Sequence, residues 1–148
     1  MPTVFDPAAR SDLLRRLDTV RPDSPRRWGT MSAAQMMAHV GDQLGVGLGE
    51  VAAPPPSGPL RFFPINAVVI RWVPWPHGRT PTHPVFRSSS PEGFEANRAR
   101  VRAHLAAFAD RGPAGAFSPH PTFGALSARL WGHLAHRHTD HHLRQFGA

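Results

Sequence analysis

The sequence contains no cysteine and no lysine, and each absence removes a class of chemistry. Without cysteine the chain can form no disulfide and offers no thiolate to zinc, so a metal site must use His, Asp or Glu. All 17 basic residues are therefore arginines, and they give a formal net charge of +7. The arginines are scattered and form no basic stripe interleaved with aromatic residues, so we expect no nucleic-acid partner.

Long hydrophobic runs are also missing. The longest apolar stretch, around residues 67–75, is interrupted by Arg71 and Pro74, and it is far shorter than the ~20 residues that a membrane-spanning helix needs. The first ten residues lack the basic and then apolar pattern of a signal peptide. We therefore expect a soluble, cytoplasmic protein with no membrane partner.

Helical periodicity accounts for most of the chain, which at 148 residues fits a single domain, residues 1–148. Apolar residues recur every three or four positions in four long segments, residues 7–20, 33–48, 91–110 and 128–145. Residues that commonly cap helices precede these segments, namely Asp6, Ser32, Ser90 and Ser127. The pattern predicts an all-α four-helix bundle.

A long proline-rich crossover joins the second and third predicted helices. Nine of the 17 prolines lie in residues 51–90, and a short helix near 65–72 is the regular element expected there. Trp72, Pro74, Trp75 and Pro76 are predicted to pack as a lid over an apolar surface. A connection of this length in a compact domain is often functional.

Histidines are concentrated near the end of the chain, with six of the ten between positions 120 and 142. His138 and His142 are four residues apart, so on a helix they share one face and can bind one metal ion. His39, at or next to the core face of the second helix, is the candidate third ligand. His138 with His141, three residues apart, is an alternative pair. Three imidazoles leave a coordination position open for water or substrate, which is typical of catalytic zinc.

A metal-binding imidazole needs a hydrogen-bond acceptor for its second nitrogen. Asp42 and Gln145 are candidate acceptors, because each follows a candidate ligand by three residues, whereas Asp140 falls on the wrong side of its helix. Asp42 and His141 are also the candidate catalytic residues, as a base or an orienting group. The remaining histidines are expected at the surface or in loops, with the role of His120 left open: His77, His83, His104, His120, His133 and His136.

Several segments resemble the DinB-like (YfiT-like) metalloenzyme superfamily, and together they cover nearly the whole chain. The matching pieces are Trp28, Met31-Ser32, Gln35-Met36, His39, Phe94-Glu95, His120-Pro121, Phe123-Gly124, Trp131 and the run His-x-x-His-His-Leu-Arg-Gln-Phe-Gly at 138–147. The C-terminal run is the most specific of them. The resemblance implies an up-down-down-up bundle in which His39, His138 and His142 hold a divalent metal, commonly zinc or nickel.

The resemblance also implies a kind of chemistry. Relatives with a known activity are thiol-dependent transferases or isomerases, which use the metal to polarise or deprotonate a low-molecular-weight thiol, and relatives are frequently dimers. We therefore expect a metal-dependent transferase or hydrolase acting on a small molecule, with a homodimer as the implied assembly. The alternative is a non-catalytic metal-binding or structural bundle that acts through a protein partner.

Overall fold

The computed structural model describes residues 1–75 and 93–148, and five α-helices account for most of these two ranges. They are α1 (Pro7–Thr19), α2 (Ala33–Leu48), α3 (Ile65–Arg71), α4 (Phe94–Arg111) and α5 (Ala128–Gln145). A 3-10 turn at Pro59–Arg61 precedes α3, and one isolated β-bridge joins His120 to Gly124. The all-α prediction is confirmed for the described residues. They contain five helices: the four long ones and the short crossover helix, which was expected near residues 65–72.

Three of the long helices begin where their capping residues predict. The side chain of Asp6 accepts a backbone N–H in the first turn of α1, and Ser127 does the same for α5. At the start of α2, Ser32 and Gln35 form a capping box in which each side chain bonds the other residue's backbone N–H. These local bonds satisfy backbone donors that have no partner within the helix.

The start of α4 differs from the prediction. The helix begins at Phe94, not at residue 91, because Gly93 takes a left-handed φ of 81° that a continuing α-helix does not contain. No side chain of the described residues caps this end. Ser90, the predicted cap, lies outside the described residues.

Helix α2 lies at the centre of the structure, and every residue from 36 to 48 is buried. It contacts α4 and α5. Glycine brings α4 close: a Cβ added at Gly45 would lie 3.3 Å from the His104 ring, and one at Gly47 would lie 2.8 Å from the Phe108 ring. Glycine costs helix propensity, and at these positions the loss is offset by close helix packing.

The core draws fully buried side chains from all five helices, among them Leu13, Met37, Ile70, Leu105 and Trp131. Trp131 also carries a polar atom into this core, and its indole N–H donates to the Ser118 carbonyl at 2.9 Å. Within the described ranges, no helix is both long and apolar enough to cross a membrane.

Helix α3 is held against α5 by Arg137. The guanidinium donates to the carbonyl oxygens of Ile70 at 2.7 Å and Val69 at 3.3 Å, and also to that of Val73. The last carbonyls of a helix have no partner within it, so Arg137 supplies donors that the end of α3 needs. The same guanidinium lies 4.9 Å from the ring of Trp75.

The predicted lid is only partly present. Trp75 is half-buried and lies near α5, as expected for a covering side chain. Trp72 is 65% exposed and Pro74 is exposed, so neither covers an apolar surface. The prediction was wrong for Trp72 because the buried side of α3 is formed by Asn66, Ala67 and Ile70. Pro76 lies outside the described residues.

Candidate metal centre

Three histidines from two helices meet between α2 and α5. The ring centroids of His39, His138 and His142 are each 4.7 Å from the other two, so the three rings form an equilateral triangle. One ring nitrogen from each residue lies within 4.8 Å of the other two nitrogens, and such a group can hold a metal ion. His39 and His142 are buried, and His138 is half-buried with its Nδ1 fully enclosed. The structure thus brings together the three histidines selected from the sequence.

The spacing of the nitrogens suits a small cation. The Nε2 atoms of His39 and His138 are 2.9 Å apart. Two imidazole nitrogens that bind one tetrahedral zinc at ~2.0–2.1 Å lie about 3.3 Å apart. A small outward movement of the rings therefore converts the observed contact into a pair of metal ligands. In the absence of a cation, the same two atoms can share one N–H···N hydrogen bond.

The electrostatics of the cluster favour neutral imidazoles. Burial lowers the pKa of His138 well below its ordinary value of 6.5, and the neighbouring histidines lower this pKa further. Burial and the nearby His39 have the same effect on the pKa of His142. A neutral imidazole keeps the nitrogen lone pair that a metal requires. His138 and His142 therefore stay uncharged at neutral pH and keep the nitrogen lone pairs that a metal ion binds.

These lowered pKa values predict how the metal-free fold responds to acid. Below about pH 6.5 the unfolded chain binds protons at His138 and His142 that the folded chain excludes, so the free energy of unfolding should fall as the pH decreases. The measurement is the urea midpoint of metal-free protein between about pH 5 and pH 8. His138→Gln/His142→Gln should show a weaker pH dependence than the wild type. An equal pH dependence of the urea midpoint in the two proteins would contradict the lowered pKa values of His138 and His142.

Gln145 orients one of the three imidazoles. Its Oε1 accepts a hydrogen bond from Nδ1 of His142 at 2.8 Å, which places the proton on Nδ1 and leaves the lone pair on Nε2. The side-chain amide of Gln145 in turn donates to the Trp28 carbonyl at 2.8 Å. The predicted acceptor for His142 is thus confirmed. Nδ1 of His138 has no such partner among the described residues.

Gln145→Leu should lower zinc affinity by about 10–100-fold, the usual effect of removing the hydrogen-bond partner of a metal-binding histidine. Gln145→Glu keeps an acceptor at the same place and should retain more of the affinity. The measurement is competition with a chromophoric zinc chelator. Arg144→Gln, a change at the neighbouring exposed position, is the matched control. An unchanged affinity in Gln145→Leu would show that the bond to His142 does not support the site.

Aromatic rings border the three histidines. The ring of His141 lies 5.2 Å from that of His142, 5.6 Å from that of Trp28 and 6.0 Å from that of Trp75. Trp75 also lies 6.0 Å from His138. His141 is therefore beside the cluster rather than within it, and the alternative pair of His138 with His141 is not the pair that joins His39.

The two aspartates near the site differ in their surroundings. Asp42 is completely buried, and its Oδ1 accepts a hydrogen bond from Arg100 at 2.9 Å. Asp140 pairs with Arg16 and Arg144, so it faces away from the three histidines as predicted. The catalytic roles assigned to Asp42 and His141 from the sequence stay predictions.

His104 is buried, although it was expected at the surface. Its Nδ1 lies 3.0 Å from the Gly41 carbonyl oxygen, and its Nε2 lies 2.9 Å from a carboxylate oxygen of Glu50. The sequence carries a signal that could have predicted this burial. His104 follows Val101 by three residues and precedes Phe108 by four, so it shares their apolar face.

His120 is also buried, in the loop before α5. Its Nδ1 accepts hydrogen bonds from the backbone N–H groups of Thr122 and Phe123, at 3.0 and 3.2 Å, so its proton lies on Nε2. The ring also lies 5.4 Å from that of Trp131. Through these contacts His120 stabilises the turn. Two of the other four histidines, His133 and His136, are partly exposed, as expected. His77 and His83 lie outside the described residues.

Comparison with known proteins adds no relative to this picture. No protein-family model matches the sequence, and neither a curated protein nor a solved structure matches it.

Proposed function

We propose that the chain is a divalent-metal-dependent enzyme of the DinB-like type, in which His39, His138 and His142 hold zinc or nickel. The observation that carries the proposal is the triangle of imidazoles, with ring centroids 4.7 Å apart on every side. The donors are all imidazole nitrogens, a set that suits zinc and nickel. Burial also keeps two of the three rings neutral by lowering their pKa values.

The contacts between the long helices support an up-down-down-up four-helix bundle as the frame of this site. Along α2, Gly41 and then Gly45 face α4, and the α4 residues that they approach follow in the same order, Arg100 and then His104. Helices α2 and α4 therefore run in the same direction. Helices α1 and α5 also run in the same direction. The chain before α1 bonds to the first half of α5, and the last turns of α1 pair with the second half of α5. Bundle interiors commonly hold metal sites of this kind.

The residues around the cluster have separate roles in the proposed reaction. His39, His138 and His142 would hold a divalent cation, which would supply Lewis-acid chemistry by lowering the pKa of a water or thiol. Gln145 keeps the proton of His142 on Nδ1 and its lone pair on Nε2, and Trp28 and Trp75 would limit the access of water to the edge of the site. We assign proton transfer at this edge to His141, because its ring lies against both tryptophans and next to His142. The substrate class is a small molecule, with a low-molecular-weight thiol as the co-substrate of a transferase or water as that of a hydrolase.

The test of an open, catalytic site uses protein loaded with cobalt. Addition of 2-mercaptoethanol should shift the visible cobalt spectrum, because a fourth ligand enters beside the three imidazoles. Ethylene glycol, which has hydroxyls but no thiol, is the control and should leave the spectrum nearly unchanged. A fully loaded sample whose spectrum does not respond to the thiol would favour the alternative, a coordinatively closed metal-binding or structural bundle that acts through a protein partner.

A further inference from the structure

The exposed large hydrophobic side chains of the described residues are concentrated in one segment. Apart from Met1, all of them lie in residues 62–73, where they are 41 to 81% exposed. We call this group, two residues of α3 and four that flank it, the apolar face of α3: Phe62, Phe63, Ile65, Val68, Trp72 and Val73. Ile65, Val68 and Trp72 recur at helical spacing, and the opposite side of the same helix is buried. An exposed apolar surface of this kind marks an interaction site.

The charged residues within this segment are of one sign. The Arg61 guanidinium lies 4.6 Å from the ring of Phe62, and that of Arg71 lies 5.9 Å from the ring of Trp72. No Asp or Glu occurs in the sequence between Glu50 and Glu92, and the whole chain carries a net charge of +7. Exposed aromatic and aliphatic side chains with arginines and no carboxylate are complementary to a surface that is anionic outside and apolar inside.

We propose that the apolar face of α3 docks on an anionic lipid bilayer. The aromatic and aliphatic side chains would enter the boundary between headgroups and acyl chains, and Arg61 and Arg71 would meet the lipid phosphates. The sequence prediction of no membrane partner rests on the lack of a spanning helix, and a peripheral contact needs none. The proposal is independent of metal binding.

Two features disfavour another protein surface as the occupant. A second copy docked face to face would bring two chains of charge +7 together, with Arg61 and Arg71 of each chain and no carboxylate from the facing segments. Protein interfaces typically contain about ten direct hydrogen bonds. Between Arg61 and Arg71 the only polar side chain is Asn66, which is buried and donates to the Phe123 carbonyl. This stretch is therefore poor in side chains that could form such bonds with a protein partner.

The face is also firmly attached to the rest of the molecule. Arg137 bonds the carbonyls of Val69, Ile70 and Val73, and so fixes the end of α3 to the helix that carries His138. A docking surface that is already ordered loses little conformational freedom on binding.

The first experiment measures flotation of the full chain with vesicles of phosphatidylcholine, with and without phosphatidylglycerol. Binding should require the anionic lipid and should decrease with salt. Phe62→Ser/Phe63→Ser leaves the charge unchanged and should reduce binding at least tenfold. Arg61→Gln/Arg71→Gln should weaken binding about 30-fold, on the scale of roughly fivefold per arginine. Arg15→Gln/Arg21→Gln is the matched control, since both arginines are exposed and far from α3 in sequence, and its effect should be below about threefold.

A second readout reports insertion. Brominated lipids should quench tryptophan fluorescence in the wild type, and Trp72→Phe should remove most of this quenching while vesicle binding persists. Far-ultraviolet circular dichroism verifies that each variant is folded. The proposal is overturned if folded wild type does not bind anionic vesicles, or if both arginine pairs have equal effects. It is also overturned if Phe62→Ser/Phe63→Ser instead abolishes a concentration-dependent dimer, because the face would then join two copies of the chain.

Discussion

His142→Ala should abolish stoichiometric zinc binding while leaving the helical content nearly unchanged. The substitution removes one corner of the imidazole triangle, so two ligands remain, and two imidazoles do not complete a zinc site. The loss of affinity should exceed the ~10–100-fold expected for an outer hydrogen-bond partner. Helix α5 should persist, because Trp131, Leu134 and Leu143 still anchor it in the core.

The control for this prediction is His133→Ala, on the same helix. His133 is partly exposed and its ring bonds only the Pro2 carbonyl among the described hydrogen bonds, so the variant should keep the full zinc content. His141→Ala should also retain zinc, since His141 borders the cluster without belonging to it. A folded His142→Ala protein that still binds zinc as tightly as the wild type would refute the assignment of His142. Loss of zinc in His141→Ala instead would place the ligand at the alternative position.

Arg100→Ala should lower the free energy of unfolding by about 2–4 kcal/mol. The substitution leaves the carboxylate of Asp42 buried without the guanidinium that now donates to it at 2.9 Å. Removing one partner of a fully buried ion pair costs ~3–5 kcal/mol, and the Arg100 side chain is 28% exposed, so we expect a somewhat smaller loss. The Ala38 carbonyl also loses a donor. The measurement is urea unfolding of the metal-free protein.

Two further variants isolate this effect. Arg102 lies on α4 like Arg100, and Arg102→Ala breaks a pair with Asp18 of α1. Both of these side chains are largely exposed, at 41% and 51%, and the cost should stay below ~1 kcal/mol. The double variant Asp42→Asn/Arg100→Ala should recover part of the stability, because it removes the buried charge as well as its partner. Equal losses in Arg100→Ala and Arg102→Ala would show that the burial of Asp42 does not matter.

Short-range patterns in the sequence were sufficient to predict much of this structure. The bounds of α2 follow from Ser32, Gln35 and Gly49, which act on the backbone of the helix that they delimit. The histidine cluster was predictable for a similar reason. The spacing of His138 and His142 lies within one helix, and His39 stands next to an apolar stripe, so each signal needs only local geometry.

Features that depend on contacts between distant segments were not predictable in this way. The pair of Asp42 and Arg100 joins residues 58 positions apart, and neither residue shows its partner in the local pattern. The bonds of Arg137 to the end of α3 bridge a similar gap of 64 to 68 positions. The exposure of Trp72 was mispredicted because large apolar residues are usually assigned to the interior, and only the packing of α3 reveals which side faces out.

The most direct test of the proposed metal site is the metal content of protein purified without a histidine tag or a nickel column. Elemental mass spectrometry should find about one zinc or nickel ion per folded chain, and His39→Ala should no longer contain this ion. The variant tests the one ligand that α2 supplies across from the pair on α5. Folded wild-type protein that contains no metal and takes up no added zinc would contradict the account, and the three histidines would then be structural.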